Sequence, residues 1–313
     1  MFDSLFSKRG LSLDRLRGFL EMAGAGSIAK AAPGDPVRQS QISRQIRELE
    51  EFFGTELTRR HGKSLVFTPP GERLARLVRD QLQGLDDFRC EMEQRPKSYL
   101  FGSAASTLEW LVTPALPTIA SSLEGARPRT ASFRSEALAE AVREGSVDFA
   151  VVRRDAIAGA SKKNSHPIVS LSFHLCVPRR LLRKGASAAD LADPTVWRSL
   201  PFATGRDGGR LDQAIRLAME KVAPGFAPAF ECASVLQVSQ LVARESCAAI
   251  LPNLALSGFD TRRILVVPFA PLANHTRSLV LHWNPRYMAM RGVTDAAIRA
   301  IAAALAKAGE SSH

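Results

Sequence analysis

The side chains best suited to chemistry lie between Ser27 and Phe53, in the stretch SIAKAAPGDPVRQSQISRQIRELEEFF. Ile42, Ile46, Leu49 and Phe53 are spaced four, three and four residues apart, which makes one apolar helical stripe. Gln39, Gln41, Ser43, Arg44, Arg47 and Glu48 fall on the remaining faces. Glutamine can bond adenine N6 and N7 together, arginine can do the same to guanine O6 and N7, and serine anchors phosphate. This is the chemistry of reading a DNA groove. A solvated helical hairpin would carry the same residues, and from this stretch alone the two readings are equal.

Bond-making constellations are weaker. Ser27-Ile28-Ala29-Lys30 has the SxxK spacing of penicillin-binding enzymes, but no KTG partner follows; it reads as a helix cap and a basic surface residue. Gly205-Arg206-Asp207-Gly208-Gly209-Arg210 lacks the GK[ST] ending of a phosphate-binding loop. His61, His166, His174, His275 and His282 show no ligand spacing, so neither a metal nor a cofactor is expected. Glu50-Glu51 sit on the polar side of a helix, and no GxSxG elbow occurs. Cys90, Cys176, Cys232 and Cys247 form no CxxC pair. Idle thiols are the default, with a redox pair of Cys232 and Cys247 as the alternative. An enzyme is not expected.

The elements that must position the polar face follow from breakers and caps. Leu13, Leu16, Phe19, Leu20 and Ala23 give a first helix, closed by Gly24-Ala25-Gly26. Ser27 is a natural N-cap for a second, which Pro33 stops early. The third runs from about Gln39 to Phe53 and closes at Gly54. Thr58-Arg59-Arg60 and Leu65-Val66-Phe67 flank His61-Gly62-Lys63 as a hairpin whose tip carries Arg59, Arg60 and Lys63. Placed after two helices and a turn, it is a wing for phosphate or the minor groove. A long helix is expected over 71–94, with Leu74, Val78, Leu85, Phe88 and Met92 as a stripe for pairing with a second subunit. Arg95-Pro96 marks a boundary.

From Ser98 strands and helices alternate. Strands are expected at 99–101, 130–133, 149–152, 169–177, 200–204, 229–231, 248–251, 264–267 and 278–283, with helices from about 108 and over 136–143, 211–221, 235–244 and 294–308. This alternation predicts parallel sheets covered on both faces, in two α/β lobes around a ligand-binding cleft.

The 313 residues exceed one small core. Composition is that of a soluble protein, 45% hydrophobic and 23% charged. A net charge of +11 and a pI near 10.1 favour a polyanionic partner. Neither a signal peptide nor an apolar run of membrane length is present, which predicts a cytoplasmic protein with no membrane partner.

GSIAKAA at 26–32, QSQISRQIRELEEFFGTELTRR at 39–60 and TPPGERL at 68–74 resemble the LysR-type transcriptional regulators; VARESCAAILP at 242–252 fits the same plan. The resemblance covers nearly the whole chain. It implies an α+β and α/β fold: a winged helix-turn-helix over 11–70 after a loose extension 1–10, a linker and dimerisation helix over 71–96, and a two-lobed effector domain over 97–313 like periplasmic solute-binding proteins. Lobe I would take 97–165 and 268–313, lobe II 166–267. The implied partners are double-stranded DNA, a small effector for which an anion is a candidate, further copies of the chain as a homodimer or dimer of dimers, and RNA polymerase. Groove-reading positions carry over to Gln39, Ser40, Ser43 and Arg44, and the wing arginine to Arg60; Ser27, Lys30, Arg38, Gln41, Arg47 and Lys63 complete the expected DNA contacts. Arg38 and Ser40 stand where the family commonly has Ser and Pro, and PGDP at 33–36 interrupts the usual second helix. Effector contacts are implied at Ser106 and Thr107, in a loop before a helix whose free amides suit an anion, and at Ser135 and Thr204. Ordinary caps and turns are the competing reading of these four. Glu245, Ser246 and Cys247 replace the family's usual glycines near the pocket. Ligand closure of the lobes would change subunit packing and the bend of bound DNA. A two-lobed binding protein or enzyme without a DNA role is the rival reading.

Overall fold

The computed structural model describes residues 2–61, 64–206, 210–275 and 277–310. Packing divides the chain into two units. One runs through Lys97 and takes in Glu140–Asp148 and Asn284–Gly292; the other holds Ser98–Ala139, Phe149–Trp283 and the chain from Val293.

The first unit begins with a single turn, α1 (Asp3–Phe6), and then α2 (Leu13–Ala25), α3 (Ile28–Ala31) and α4 (Pro36–Phe53). α4 starts three residues earlier than the expected Gln39. The PGDP stretch is a start signal as well as a stop: Asp35 accepts the amide of Arg38 at 2.9 Å, and Pro36 occupies the first helical position, where a missing N–H costs nothing. The inward stripe ends on Phe52 rather than Phe53, and it includes Gln45; Phe53 is 38% exposed. β1 (Thr58–His61) and β2 (Ser64–Phe67) pair antiparallel from Thr58↔Phe67 to His61↔Ser64, so the expected wing is present. α5 (Pro69–Met92) follows, capped by the Thr68 hydroxyl on the Gly71 amide.

The core of this head is Phe19, Met22, Ile42, Ile46, Leu49, Leu57, Leu74, Ala75 and Val78, with the Phe19 and Phe67 rings edge to face at 4.9 Å. Leu74 and Val78 are therefore filled by their own head and are not available to a second subunit. This corrects two of the five expected dimer contacts. Leu85, Phe88 and Met92, further along α5, are 56%, 61% and 61% exposed. Gly71 is fixed by close approach: a Cβ there would meet the Leu57 carbonyl oxygen at 2.0 Å.

The second unit holds a five-stranded sheet in the order β4-β3-β5-β12-β6. These are β3 (Ser98–Ser103), β4 (Arg127–Ser132), β5 (Phe149–Arg153), β6 (Ser165–Leu171) and β12 (Arg277–Trp283). A helical run of α6 (Ala105–Thr107), a π-turn (Leu108–Val112) and α7 (Thr113–Ser122) leaves β3, and α8 (Ser135–Arg143) follows β4. A short helix α9 (Pro194–Trp197) precedes a two-stranded parallel pair, β8 (Ala203–Gly205) and β9 (Phe230–Cys232), with α10 (Arg210–Val222) between them and α11 (Val235–Ala243) after. β7 (Phe173–Pro178) lies between β10 (Ala249–Pro252) and β11 (Ile264–Pro268). The chain closes with α12 (Pro285–Met290) and α13 (Asp295–Glu310).

The sheets are mixed rather than parallel. β3 runs parallel to β4 and β5, but β12 is antiparallel to β5 and β6, and β7 is antiparallel to both neighbours. Strands that return from the other lobe enter from the opposite end, which reverses their direction. The strand expected over 169–177 is likewise divided. Its first part belongs to β6, its second to β7, and Ser172 is where the chain leaves one lobe for the other. Asn253, 1% exposed, pins this crossing: its backbone N–H donates to Ser172 O at 2.9 Å and its side-chain amide donates to Ser170 O at 3.3 Å. Trp197, Phe202, Phe269, Leu272 and Met219 fill the second lobe, so the return crossing comes after Leu272.

Candidate nucleic-acid interface and effector cleft

α4 presents one polar face. Val37, Ser40, Gln41, Arg44 and Arg47 are exposed, while Ile42, Gln45, Ile46 and Leu49 are buried on the opposite side. Arg44 is only loosely held: 74% of its side chain is exposed, and its Nε lies 3.8 Å from Glu48 Oε1, a weak pairing. Glu48 is engaged by Arg15, whose hydrogen bond holds the carboxyl below its usual range. Arg47 reaches back to the Ser43 hydroxyl at 3.5 Å.

Other expected contacts are already occupied. The Gln39 side-chain amide donates to Ala32 O at 2.8 Å, which ties α4 to the end of α3. Arg38 pairs with Glu21 on α2 and donates to Gln41 Oε1 at 3.0 Å, so Gln41 retains its amide as a donor. The Ser27 hydroxyl accepts the Lys30 amide at 3.2 Å as a cap, leaving the Lys30 side chain exposed. On the wing, Arg59 and Arg60 are both exposed; Lys63 lies outside the described residues. Val37, 79% exposed at the start of α4, is an apolar side chain on this face that polar-residue reading passes over. Its methyl groups suit the thymine methyl in the major groove.

Glu50 has a structural part that its sequence position hides. Its Oε1 accepts from the amides of Leu57 and Thr58, both at 2.9 Å, and from the Thr58 hydroxyl at 3.0 Å. The base of the wing is thereby fastened to α4.

A second fastening involves the linker helix. Arg291, with no side-chain exposure, donates from Nε and Nη2 to Asp87 at 2.8 and 2.9 Å, and from Nη1 to Asp148 at 2.5 Å. Burial alone would lower the Arg291 pKa, but the two carboxylates hold it above its ordinary value.

In the second unit, Ser106 and Thr107 fall inside the first turn of α6 rather than in a loop before it. Ala104 is the N-cap and offers no side-chain bond, so the amides of that turn are left without a capping side chain at the carboxyl end of β3. Ser135 opens α8, beyond the carboxyl end of β4. Thr204 lies on β8 in the other lobe, and its Oγ1 is buried with no hydrogen-bond partner among the described residues. It lines a small cavity with Asp212, Ile215 and Phe226. All four cysteines are free. Burial, and then Cys232 nearby, push the Cys247 thiol up to about 11, so it resists becoming the thiolate that oxidation needs. Among the described residues no group of three or more His, Cys, Asp or Glu side chains could hold a metal, and no helix is long and apolar enough to cross a membrane.

Two family models match. That of the bacterial regulatory helix-turn-helix protein, lysR family, matches residues 13–72, and the LysR substrate binding domain matches residues 98–307. The HTH-type transcriptional regulator GbpR of Azospirillum brasilense is 28% identical over 312 residues, covering 95% of this chain and 87% of its own. A full-length OxyR variant from Pseudomonas aeruginosa superposes with a TM-score of 0.59 at 18% identity, covering 94% of this chain and 97% of that one. CbnR, a LysR family transcriptional regulator, gives a TM-score of 0.52 at 18% identity over 93% of this chain and 99% of that one. These last two show the same fold.

Proposed function

The chain belongs to the LysR family of DNA-binding transcriptional regulators, and on that premise we propose which of its residues read DNA and where its effector sits. Val37, Ser40, Gln41, Arg44 and Arg47 enter the major groove, with Arg44 and the Gln41 amide on base edges and Val37 against thymine methyls. Arg59 and Arg60 of the wing contact phosphate, and Lys30 adds a further phosphate contact. Gln39 and Arg38 hold the head together and position the reading face. The observation that carries this is the guanidinium of Arg44 on α4's exposed face, 74% exposed and held only by a 3.8 Å contact with Glu48 among the described residues.

The effector is a small anion bound at the start of α6 by Ser106 and Thr107, with Ser135 beside it and Thr204 contributed by the second lobe. The uncapped amides supply its attraction. Leu85, Phe88 and Met92 join two copies along α5, and the regulator works in the cytoplasm with RNA polymerase as its downstream partner. Selection of duplexes from a random pool by the full chain tests the DNA assignment. A defined, two-fold related motif is the expected product; recovery of unrelated sequences by charge alone would overturn it.

A further inference from the structure

The second lobe carries a cationic surface that neither the head nor the cleft residues use. β7 ends at Pro178, opposite Ile264 at the start of β11, and a 3₁₀ turn, Arg179–Leu181, follows it. Arg179, Arg180, Arg183 and Lys184 come from that turn and the residues after it, and Arg262 and Arg263 from the turn that leads into β11; all six are exposed. Two segments far apart in the chain are thus brought to one end of a sheet. The crossing at Ser172 is at the other end: the six residues of β7, at about 3.3 Å each, put about 20 Å of strand between them.

The cations are held on a fixed frame. The Arg179 N–H donates to Arg263 O at 2.8 Å, which joins the two turns. Arg180 donates from Nε to Glu245 O at 2.7 Å, and Arg263 pairs with the Glu245 carboxylate. Asp260 accepts the Arg262 amide at 2.8 Å, and Arg183 meets Asp190 at 3.1 Å with 75% of its own side chain exposed. Among the described residues, three carboxylates therefore stand against six cations, and a pair as exposed as Arg183 and Asp190 offsets little of the excess. Like charges gathered in this way create a positive potential that a polyanion relieves. Five of the six are arginine, whose planar fork matches the paired oxygens of phosphate. Side chains carried on two turns suit successive phosphates of a duplex, which presents one charge per about 1.7 Å of its axis. A duplex held by the head is also tethered to this lobe of the same chain, so its effective concentration here exceeds that of a free acidic protein.

We propose that this end of the second lobe binds the phosphate backbone of duplex DNA flanking the site held by the head, without reading its sequence. The proposal rests on the DNA reading of the head. Such contacts lengthen the stretch of DNA engaged and steepen its salt dependence.

Fluorescence anisotropy over a salt series tests this, with the full chain on a duplex confined to the selected motif and on one extended by about 30 base pairs on either side. The triple variant Arg179→Gln, Lys184→Gln, Arg262→Gln removes three exposed cations and leaves both partners of Glu245 in place, so its thermal unfolding should match that of the wild type. At about 0.9 per phosphate contact, its log–log salt slope on the extended duplex should be smaller by about 2–3, with affinity at low salt at least tenfold weaker. Binding to the confined duplex should be unchanged. Arg216→Gln with Lys221→Gln, exposed on α10 of the same lobe, should alter neither. Equal slopes for wild type and triple variant on the extended duplex, with preference for the motif intact, would overturn this proposal alone and assign the surface to an acidic protein. A proportionate loss in the α10 variant would overturn it in favour of net charge. A wild type without preference for the motif would refute the reading of the head, and the flanking contact with it.

Discussion

Replacing Arg291 by Met leaves the carboxylates of Asp87 and Asp148 facing each other in a site where the arginine side chain has no exposure and theirs have 8% and 10%. The two carboxylates cannot both remain ionised there at low cost, so one must be neutralised. Neutralising a group of ordinary pKa near 4 at pH 7 takes about three units, or about 4 kcal/mol at 1.36 kcal/mol per unit. This agrees with the roughly 3–5 kcal/mol lost when one partner of a buried ion pair is removed. The loss should be read in urea unfolding followed by circular dichroism, as the difference between wild type and Arg291→Met. It should also shrink on acidification, by about 2 kcal/mol between pH 7 and pH 5.5, because protonation of that carboxylate becomes easier by about 1.5 units. Adding Asp87→Leu to Arg291→Met should recover a large part of it. A loss under about 1 kcal/mol, or one independent of pH, would show that the triad is hydrated and does not fasten the linker helix.

Gly71→Ala should destabilise the head by about 1–3 kcal/mol, since its new methyl group meets the backbone carbonyl of Leu57 and cannot be relieved by a side-chain rotation; thermal unfolding checks this. Leu85→Asp with Phe88→Asp should raise the dissociation constant of the proposed dimer at least a hundredfold in sedimentation velocity, each side chain being worth about 1.5–3 kcal/mol when covered. His282, 3% exposed with Nδ1 against Asn164 O at 2.8 Å, has its pKa lowered by burial. The unfolded chain binds this proton at about pH 6.5 and the folded one only below that, so the stability it contributes is present above pH 6.5 and is lost as pH falls through the folded pKa. His282→Gln should flatten that part of the stability profile in denaturant titrations.

The head was legible in the sequence wherever a local signal exists. Gly54 caps α4 in the left-handed conformation, Ser27 caps α3, and alternating strands with two basic residues mark the wing. Asp35-Pro36 was readable as a break but not as a start, because proline ends one helix and opens the next with the same ring. Periodicity along α5 shows that Leu74, Val78, Leu85, Phe88 and Met92 share a stripe; what covers each part of it depends on distant residues such as Phe19 and Ile46, which take the first two. Ser172 could not be found from hydrophobicity, since β6 and β7 read as one apolar run until the lobes separate them. The Arg291 triad left no local trace, as its partners are 204 and 143 residues away in the chain. Gln39 is undecided by sequence for a related reason. A glutamine able to read adenine is equally able to bond the carbonyl of Ala32, and only the fold shows that bond.

The most direct test is the base preference and affinity of Arg44→Ala, measured by fluorescence anisotropy on duplexes selected with the wild-type chain. Among the described residues Arg44 has only a 3.8 Å contact with Glu48, so the substitution should leave folding intact. The expected result is a loss of about 1–3 kcal/mol on the selected site, with one position of the motif relaxed and affinity for random duplex nearly unchanged. Unaltered affinity and preference on the selected duplex would contradict groove reading by the exposed face of α4.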